Sequence, residues 1–167
     1  HLNNSVKEIT DSEVILADGS KIAAELVIAS IGVKPDIWLA KAAGVTIGSR
    51  GGIAVNNFNQ TSNPDIYAIG DAAEKNDDLT GESTLIPLAN IANRHGRITA
   101  DHIAGKKIRE VDSIGTAIVK IFDLAVATTG WNAKRLKATG RDFAEIHTHP
   151  NSHATYYPGA VQFALKL

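Results

Sequence analysis

The sequence predicts an α/β fold that gives way to α+β in its last third. Three patterns carry this expectation. Residues 26–31 and 66–69 are short, unbroken apolar runs, as suits strands covered on both faces. Leu88, Ile91, Ala92, His95, Ile98 and Ile103 recur at helical spacing. Residues 115–122 and 124–129 are β-branched and alternating, as in an antiparallel pair.

The elements follow in order. Val6–Ile9 and Glu13–Leu16 read as strands, and the turn dipeptide Asp18-Gly19 before Lys21-Ile22 predicts a hairpin. Gly32-Val33-Lys34-Pro35 ends the run at 26–31. Asp36 is placed to cap a short helix over 37–43, which Gly44 stops. Residues 48–52 are a turn-rich link to a strand at 53–55. Residues 61–65 form a loop before the strand at 66–69, which ends at Gly70-Asp71-Ala72. Residues 74–83 are polar and acidic and read as a surface excursion. Pro87 suits the first turn of a helix that runs to Gly105. Gly96 lies inside that helix, where glycine costs about 1 kcal/mol relative to alanine; a close packing partner would account for it. The texture changes after 106–112, and a domain boundary is placed near Asp112. Asn132 can cap a helix reaching Lys137, closed by Gly140. Residues 143–149 and 160–167 are further strands. Leu167 falls within a strand pattern and His1 opens on a loop, so both ends are expected to be cut from a longer chain.

Composition narrows the function classes. The 167 residues suffice for one compact domain or two small ones. Seventeen basic and 18 acidic residues leave a formal charge of -1, without the basic field that nucleic acid demands. No apolar run approaches the roughly 20 residues of a membrane span. No basic-then-apolar leader opens the chain, and a cytoplasmic location is expected. Asn3-Asn4-Ser5 and Asn59-Gln60-Thr61 match the glycosylation acceptor pattern and read as chance. There is no cysteine, which excludes a disulfide, a cysteine zinc site and a cysteine nucleophile within this chain. Methionine is absent too, as in a chain that starts inside a longer gene product.

The most informative stretch is residues 61–71, TSNPDIYAIGD. A buried strand ending in Gly-Asp puts a carboxylate at the carboxyl edge of a sheet, where open α/β sheets bind ligands. Gly70 lets a ligand approach the backbone, and Asp71 can accept hydrogen bonds from the hydroxyls of a sugar alcohol. For an isolated Gly-Asp the competing reading, an Asp that caps the next segment, would prevail.

TSNPDIYAIGDA resembles the second FAD fingerprint of the FAD-dependent pyridine nucleotide-disulfide oxidoreductases, in which the matching Asp holds a ribityl hydroxyl. LVIASIGVKPD resembles the segment returning from their NAD(P)H domain to their FAD domain. Ile86-Pro87-Leu88-Ala89-Asn90 resembles the helix start beneath the isoalloxazine ring. The resemblance implies FAD held by Gly70, Asp71, Pro87, Leu88 and Ala89, with NAD(P)H as co-substrate. It implies three parts. Residues 1–31 are the tail of an NAD(P)H domain, 32–112 the C-terminal half of a two-dinucleotide-binding-domain FAD domain, and 113–167 the start of an α+β dimerisation domain.

Residues 115–129 resemble the start of that dimerisation domain. Residues 149–160, HPNSHATYYPGA, are similar to the coenzyme A-disulfide reductase branch, with NADH oxidases and peroxidases as close relatives. There a tyrosine of the partner subunit approaches the redox cysteine. Tyr156 and Tyr157 are the candidates, and Tyr156 is preferred; the competing reading packs one of them in the dimer seam. The resemblance therefore implies a homodimer acting on a coenzyme A-type disulfide or persulfide, with an oxidase or peroxidase as the alternative. Asn93 lies where that branch has a substrate contact. Arg94, Lys106 and Lys107 could meet coenzyme A phosphates, against the plainer reading of a solvated helix face. His147, His149 and His153 are expected to hold no metal, since no carboxylate or cysteine completes a ligand pattern. No G-x-G-x-x-G and no redox cysteine occur here. The chain alone is therefore expected to be inactive, with a purely structural and dimerising piece as the competing reading, to pair through exposed edges and to bind FAD weakly.

Overall fold

The computed structural model describes residues 1–108 and 113–167, so the boundary expected near Asp112 lies outside the described residues. The chain divides into two units, His1–Lys34 and Pro35–Leu167.

In the first unit, β1 (Val6–Ile9), β2 (Glu13–Leu16) and β3 (Lys21–Ala23) pair antiparallel in that order. The hairpin turn is built by local chemistry. The Asp18 carboxylate accepts from the Ser20 N–H at 2.9 Å and the Ser20 hydroxyl at 2.6 Å, and these bonds hold its carboxyl below the usual range. Gly19 takes φ +86°, a left-handed conformation that glycine adopts without strain. Val14 and Leu16 bury the inward face of β2. The strand expected at 26–31 does not form: the segment is irregular, and Leu26, Ile28 and Ile31 are 80%, 81% and 96% exposed. A strand exists only by pairing, and no described segment runs beside this one.

The second unit opens with α1 (Trp38–Ala42). Asp36 accepts the Trp38 N–H at 3.1 Å, and Gly44 follows the last turn at φ +72°. β4 (Ile53–Ala54) lies parallel to β5 (Ala73–Asn76), and β6 (Ser83–Thr84) closes the small sheet antiparallel to β5. The strand expected at 66–69 is reduced to one bridge, Gln60 with Tyr67, for want of a neighbour.

The polar surface excursion expected over 74–83 is corrected in its first part only, since Asp78, Leu79, Gly81 and Glu82 are exposed. Glu74, Lys75 and Asp77 are buried. The Glu74 carboxylate accepts the Arg50 N–H at 3.0 and 3.1 Å and the Gly52 N–H at 3.0 Å. Backbone donors thus replace the water a buried carboxylate gives up. The loop wraps so closely that a Cβ on Gly48 would lie 2.3 Å from the Glu74 carboxyl group. Asp77 is held by the Leu79 N–H at 3.0 Å and the Trp131 Nε1–H at 2.9 Å.

α2 (Ala89–Ile103) starts two residues after Pro87, buries Ile91 and His95, and is closed by Gly105 at φ +70°. A Cβ on Gly96 would meet Ile69 Cδ1 at 3.6 Å, an ordinary contact. Beyond 113 the structure is antiparallel, as expected. β7 (Thr116–Ile121) pairs with β8 (Leu124–Thr129) through a two-residue turn with Phe122 at φ +52°. α3 (Ala133–Ala138) is capped by Asn132, which accepts the Arg135 N–H at 3.0 Å. The last two strands are shorter than expected: β9 (His147–Thr148) and β10 (Leu165–Lys166). Asn59 is fully enclosed, which removes it as a glycosylation acceptor.

Candidate functional site

Residues 58–71 are delivered to α2 by a series of contacts that step along the helix. The Phe58 ring stacks on His102 at 4.7 Å. The Tyr67 hydroxyl hydrogen-bonds His102 Nδ1 at 2.9 Å. Ile69 reaches Gly96, and Gly70 packs near Ala92. As the chain runs from Tyr67 to Gly70 it therefore runs back along α2, from its last turn toward its first. The end point is a short 3-10 turn, Gly70–Ala72, lying against the helix.

This brings the Gly70–Ala72 turn against the N-terminal part of α2 near Ala92, one turn from the helix start that follows Pro87 and Leu88. Gly70 sits at φ +72°, and a Cβ there would come 3.4 Å from the Ala92 Cβ. Asp71 is exposed, and no described side chain hydrogen-bonds its carboxylate. At the helix start, Leu88 is the N-cap residue and offers no side-chain cap. Of the first-turn N–H groups, that of Ile91 is accepted by Asn90 Oδ1 at 3.0 Å, while those of Ala89 and Asn90, at the positive end of the helix dipole, have no partner among the described residues. Asn90 Nδ2 donates to the Thr116 carbonyl at 3.1 Å, which fixes this first turn against β7. A free carboxylate on a turn packed against α2, together with the N–H groups of Ala89 and Asn90, can receive a molecule that carries hydroxyls and an electron-accepting carbonyl.

Beneath the site His95 is 4% exposed, and its Nε2 lies 3.1 Å from the Ser113 hydroxyl. Its Nδ1 finds no partner among the described residues. Burial, with Lys75 and Arg94 nearby, pushes the imidazole down to about 4. An unfolded imidazole titrates near about 6.5. Between those values the unfolded chain binds a proton that the folded chain refuses. His95 thus contributes stability that is complete above about pH 6.5 and is lost as the pH falls toward 4. Urea unfolding at a series of pH values should show this decline, and His95→Gln should flatten it over that window.

The other predicted residues lie elsewhere or on the surface. Asn93 and Arg94 are exposed on α2, and Lys106 pairs with Asp101 at 2.6 Å, the solvated-face reading. Tyr156 and Tyr157 are 82% and 59% exposed, with ring centroids 5.0 Å apart, and His153 stands edge-on to Tyr157 at 6.2 Å. No hydrogen bond or ring contact among the described residues joins them to Asp71 or to the start of α2. His147 lies 3.8 Å from the Glu145 carboxylate, and among the described residues no three His, Asp or Glu side chains gather to hold a metal ion. A cavity of about 790 Å³ is lined by Arg50, Asp77, Glu82, Trp131 and Arg135, among others, and includes none of the predicted site residues. Sequence reading missed Asn59 and Glu74. Asn59 carried one faint signal, as a residue type that tolerates the left-handed backbone.

Comparison with known proteins places these features in context. A family model described as pyridine nucleotide-disulphide oxidoreductase matches residues 1–96. The NAD(P)H sulfur oxidoreductase (CoA-dependent) of Pyrococcus furiosus is 38% identical over 99% of this chain and 39% of its own length. The coenzyme A disulfide reductase of Staphylococcus aureus is 31% identical over 99% of this chain and 38% of its own. Among solved structures, reduced Bacillus anthracis CoADR-RHD superposes with a TM-score of 0.89 at 45% identity, over 98% of this chain and 30% of that one. An NAD-dependent persulfide reductase from A. fulgidus gives 0.87 at 33%, over 98% and 31%. The α/β fold is thus shared closely, and the chain spans about two fifths of the length of the curated relatives it matches.

Proposed function

Because the chain belongs to the pyridine nucleotide-disulphide oxidoreductase family, we propose that it forms one side of the FAD site in a longer flavoprotein, which passes electrons from NAD(P)H to a disulfide-type acceptor. The observation that carries this reading is the meeting of Gly70 and Asp71 with the uncapped start of α2. These residues fit the group. The Asp71 carboxylate has no partner among the described residues and suits a ribityl hydroxyl. The N–H groups of Ala89 and Asn90 at the start of α2 suit a ring carbonyl that gains negative charge. Gly70 would present no side chain to a molecule held there.

FAD, when bound, supplies the two-electron relay between nicotinamide and acceptor. This chain's residues hold and tune it. Asp71 orients the cofactor by accepting hydrogen bonds. The helix end at Pro87, Leu88 and Ala89 stabilises negative charge on the ring by about 1–2 kcal/mol, which raises a two-electron potential by roughly 20–40 mV. Leu88→Asp places a carboxylate at the N-cap and reverses that influence. Potentiometry on the full-length protein should find the flavin midpoint lower by about 20–40 mV. Thermal unfolding of the same variant should find the helix better capped, by up to about 1 kcal/mol.

The acceptor we propose is a coenzyme A-type disulfide or persulfide, with Asn93 as a substrate contact. The names of the Pyrococcus furiosus and Staphylococcus aureus relatives support it. The redox cysteine lies outside this chain, which has none. Tyr156 and Tyr157, prominently exposed, suit a role in completing that site across a homodimer, where a phenol can donate a hydrogen bond to a thiolate. The β7–β8 hairpin supports the same assembly, with Ile118, Phe122 and Leu124 left 77%, 92% and 65% exposed. Residues 1–31, 32–112 and 113–167 are proposed as nicotinamide-domain tail, FAD-domain half and partial dimerisation domain. No described helix is long and apolar enough to cross a membrane, and a cytoplasmic enzyme is proposed.

The NADH oxidase of Methanocaldococcus jannaschii, 36% identical over 93% of this chain, supports the second reading, electron transfer to oxygen or peroxide. Steady-state NADH and NADPH consumption by the full-length protein with coenzyme A disulfide, persulfide, oxygen or peroxide separates the two. The first reading expects kcat/KM to be highest with the sulfur acceptors. The 167-residue chain assayed alongside should consume no NADH.

A further inference from the structure

We infer that Asn59 is a positioning residue for the flavin site: it fixes the Gly70-Asp71 turn against the first turn of α2. The inference rests on the FAD reading above and goes beyond it, since Asn59 touches neither end of the site. Asn59 is fully buried and sits at φ +65°, in the left-handed region where Asn is one of the few non-glycine residues found. One residue there binds two elements. Its carbonyl accepts the Ala68 N–H at 2.9 Å, which anchors the segment leading to Gly70. Its Nδ2 donates to the His95 carbonyl and to Thr99 Oγ1, both at 3.0 Å, which anchors the middle of α2.

An apolar residue could fill the same volume, but it would not set a register. Hydrogen bonds to particular atoms of α2 do set one, and a buried polar group retained in a core serves that purpose in other systems. Phe58 and Tyr67 grip only the far end of the helix, at His102. Between His102 and the Gly70–Ala92 contact, Asn59 supplies the directional link. Removing its amide frees the segment to slide along α2, which changes the separation of the Asp71 carboxylate from the first-turn N–H groups. A cofactor that spans both ends would register that change in its affinity and in the electronic environment of its ring.

The test uses the full-length flavoprotein. Asn59→Gly keeps the left-handed backbone accessible and removes the amide. Asn132→Ala, which uncaps α3, serves as a control for general destabilisation. FAD dissociation constants and the visible flavin absorption band are measured for each, and for Asn59→Gly combined with Asp71→Ala. Asn59→Gly should raise the dissociation constant at least tenfold and move the absorption band, while Asn132→Ala does neither. The double variant should bind FAD no more weakly than Asp71→Ala alone, because both act through one contact. If Asn59→Gly does not fold, Thr99→Val removes one of the two amide bonds and should produce a smaller change of the same kind. Wild-type affinity and spectrum in Asn59→Gly, or in Thr99→Val where that variant stands in, would overturn the inference, and so would full additivity in the double variant. If Asp71→Ala weakens FAD while Asn59→Gly does not, only the positioning role falls. If neither has an effect, the FAD reading falls with it.

Discussion

Asp71→Ala in the full-length flavoprotein is expected to weaken FAD binding by roughly ten- to a hundredfold. Hydrogen bonds to a charged group contribute about 1.5–3 kcal/mol each, and every 1.4 kcal/mol is a tenfold change. Asp71 is exposed and has no hydrogen-bond partner among the described side chains, so its removal leaves no buried donor stranded and the fold should persist. The result should therefore be separable from stability: equilibrium dialysis or flavin fluorescence reports the loss, while the melting temperature of the apoprotein stays within error. Asp71→Asn keeps one acceptor without the charge and should lose about half as much in free energy. Equal affinity for wild type and both variants would remove Asp71 from the site.

Glu74→Ala is the substitution expected to damage the fold most. The carboxylate satisfies the N–H groups of Arg50 and Gly52 from a position only 3% exposed. Each buried donor left without a partner costs about 1–3 kcal/mol, so the loss should reach about 3 kcal/mol or more. That is a large share of the 5–15 kcal/mol that holds a typical domain together. Glu74→Gln should cost less, because its amide oxygen still accepts one N–H while its NH₂ group faces the other donor. Urea unfolding midpoints of the two variants should order themselves Gln above Ala. Equal midpoints for wild type and alanine would mean that water reaches the loop 48–52 and satisfies it.

The features legible in the sequence are those decided within a few residues. Asp18, Gly19 and Ser20 settle the first hairpin among themselves. Asn132 caps α3 three residues ahead of the donor it binds, and the apolar spacing from Leu88 to Ile98 defines α2. The Gly70-Asp71 pair and the helix start could be named from their resemblance to a fingerprint, and the structure packs the Gly70–Ala72 turn against α2 near Ala92. What stayed hidden was decided at a distance. Residues 26–31 have the composition of a buried strand, but pairing partners, not composition, make a strand. Residues 74–77 read as surface because they are charged. Their burial follows from a loop over 48–52 that turns its N–H groups inward and from Trp131, which reaches Asp77 from far along the chain. Asn59 was read only as a chance acceptor motif, because nothing nearby in sequence discloses that its side chain meets a helix.

The run of contacts between residues 67–70 and α2 has a consequence for which length changes this protein can accept. A residue inserted in α2 between Ala92 and His102 would advance one end of the run by about 1.5 Å and turn it by about 100° about the helix axis. Tyr67 and Gly70 could then no longer both find their places. A residue added to the exposed loop 139–142 would cost only a little closure entropy. Insertions and deletions among naturally occurring variants should therefore gather in such surface stretches and leave that span of α2 constant in length, even where its side chains change.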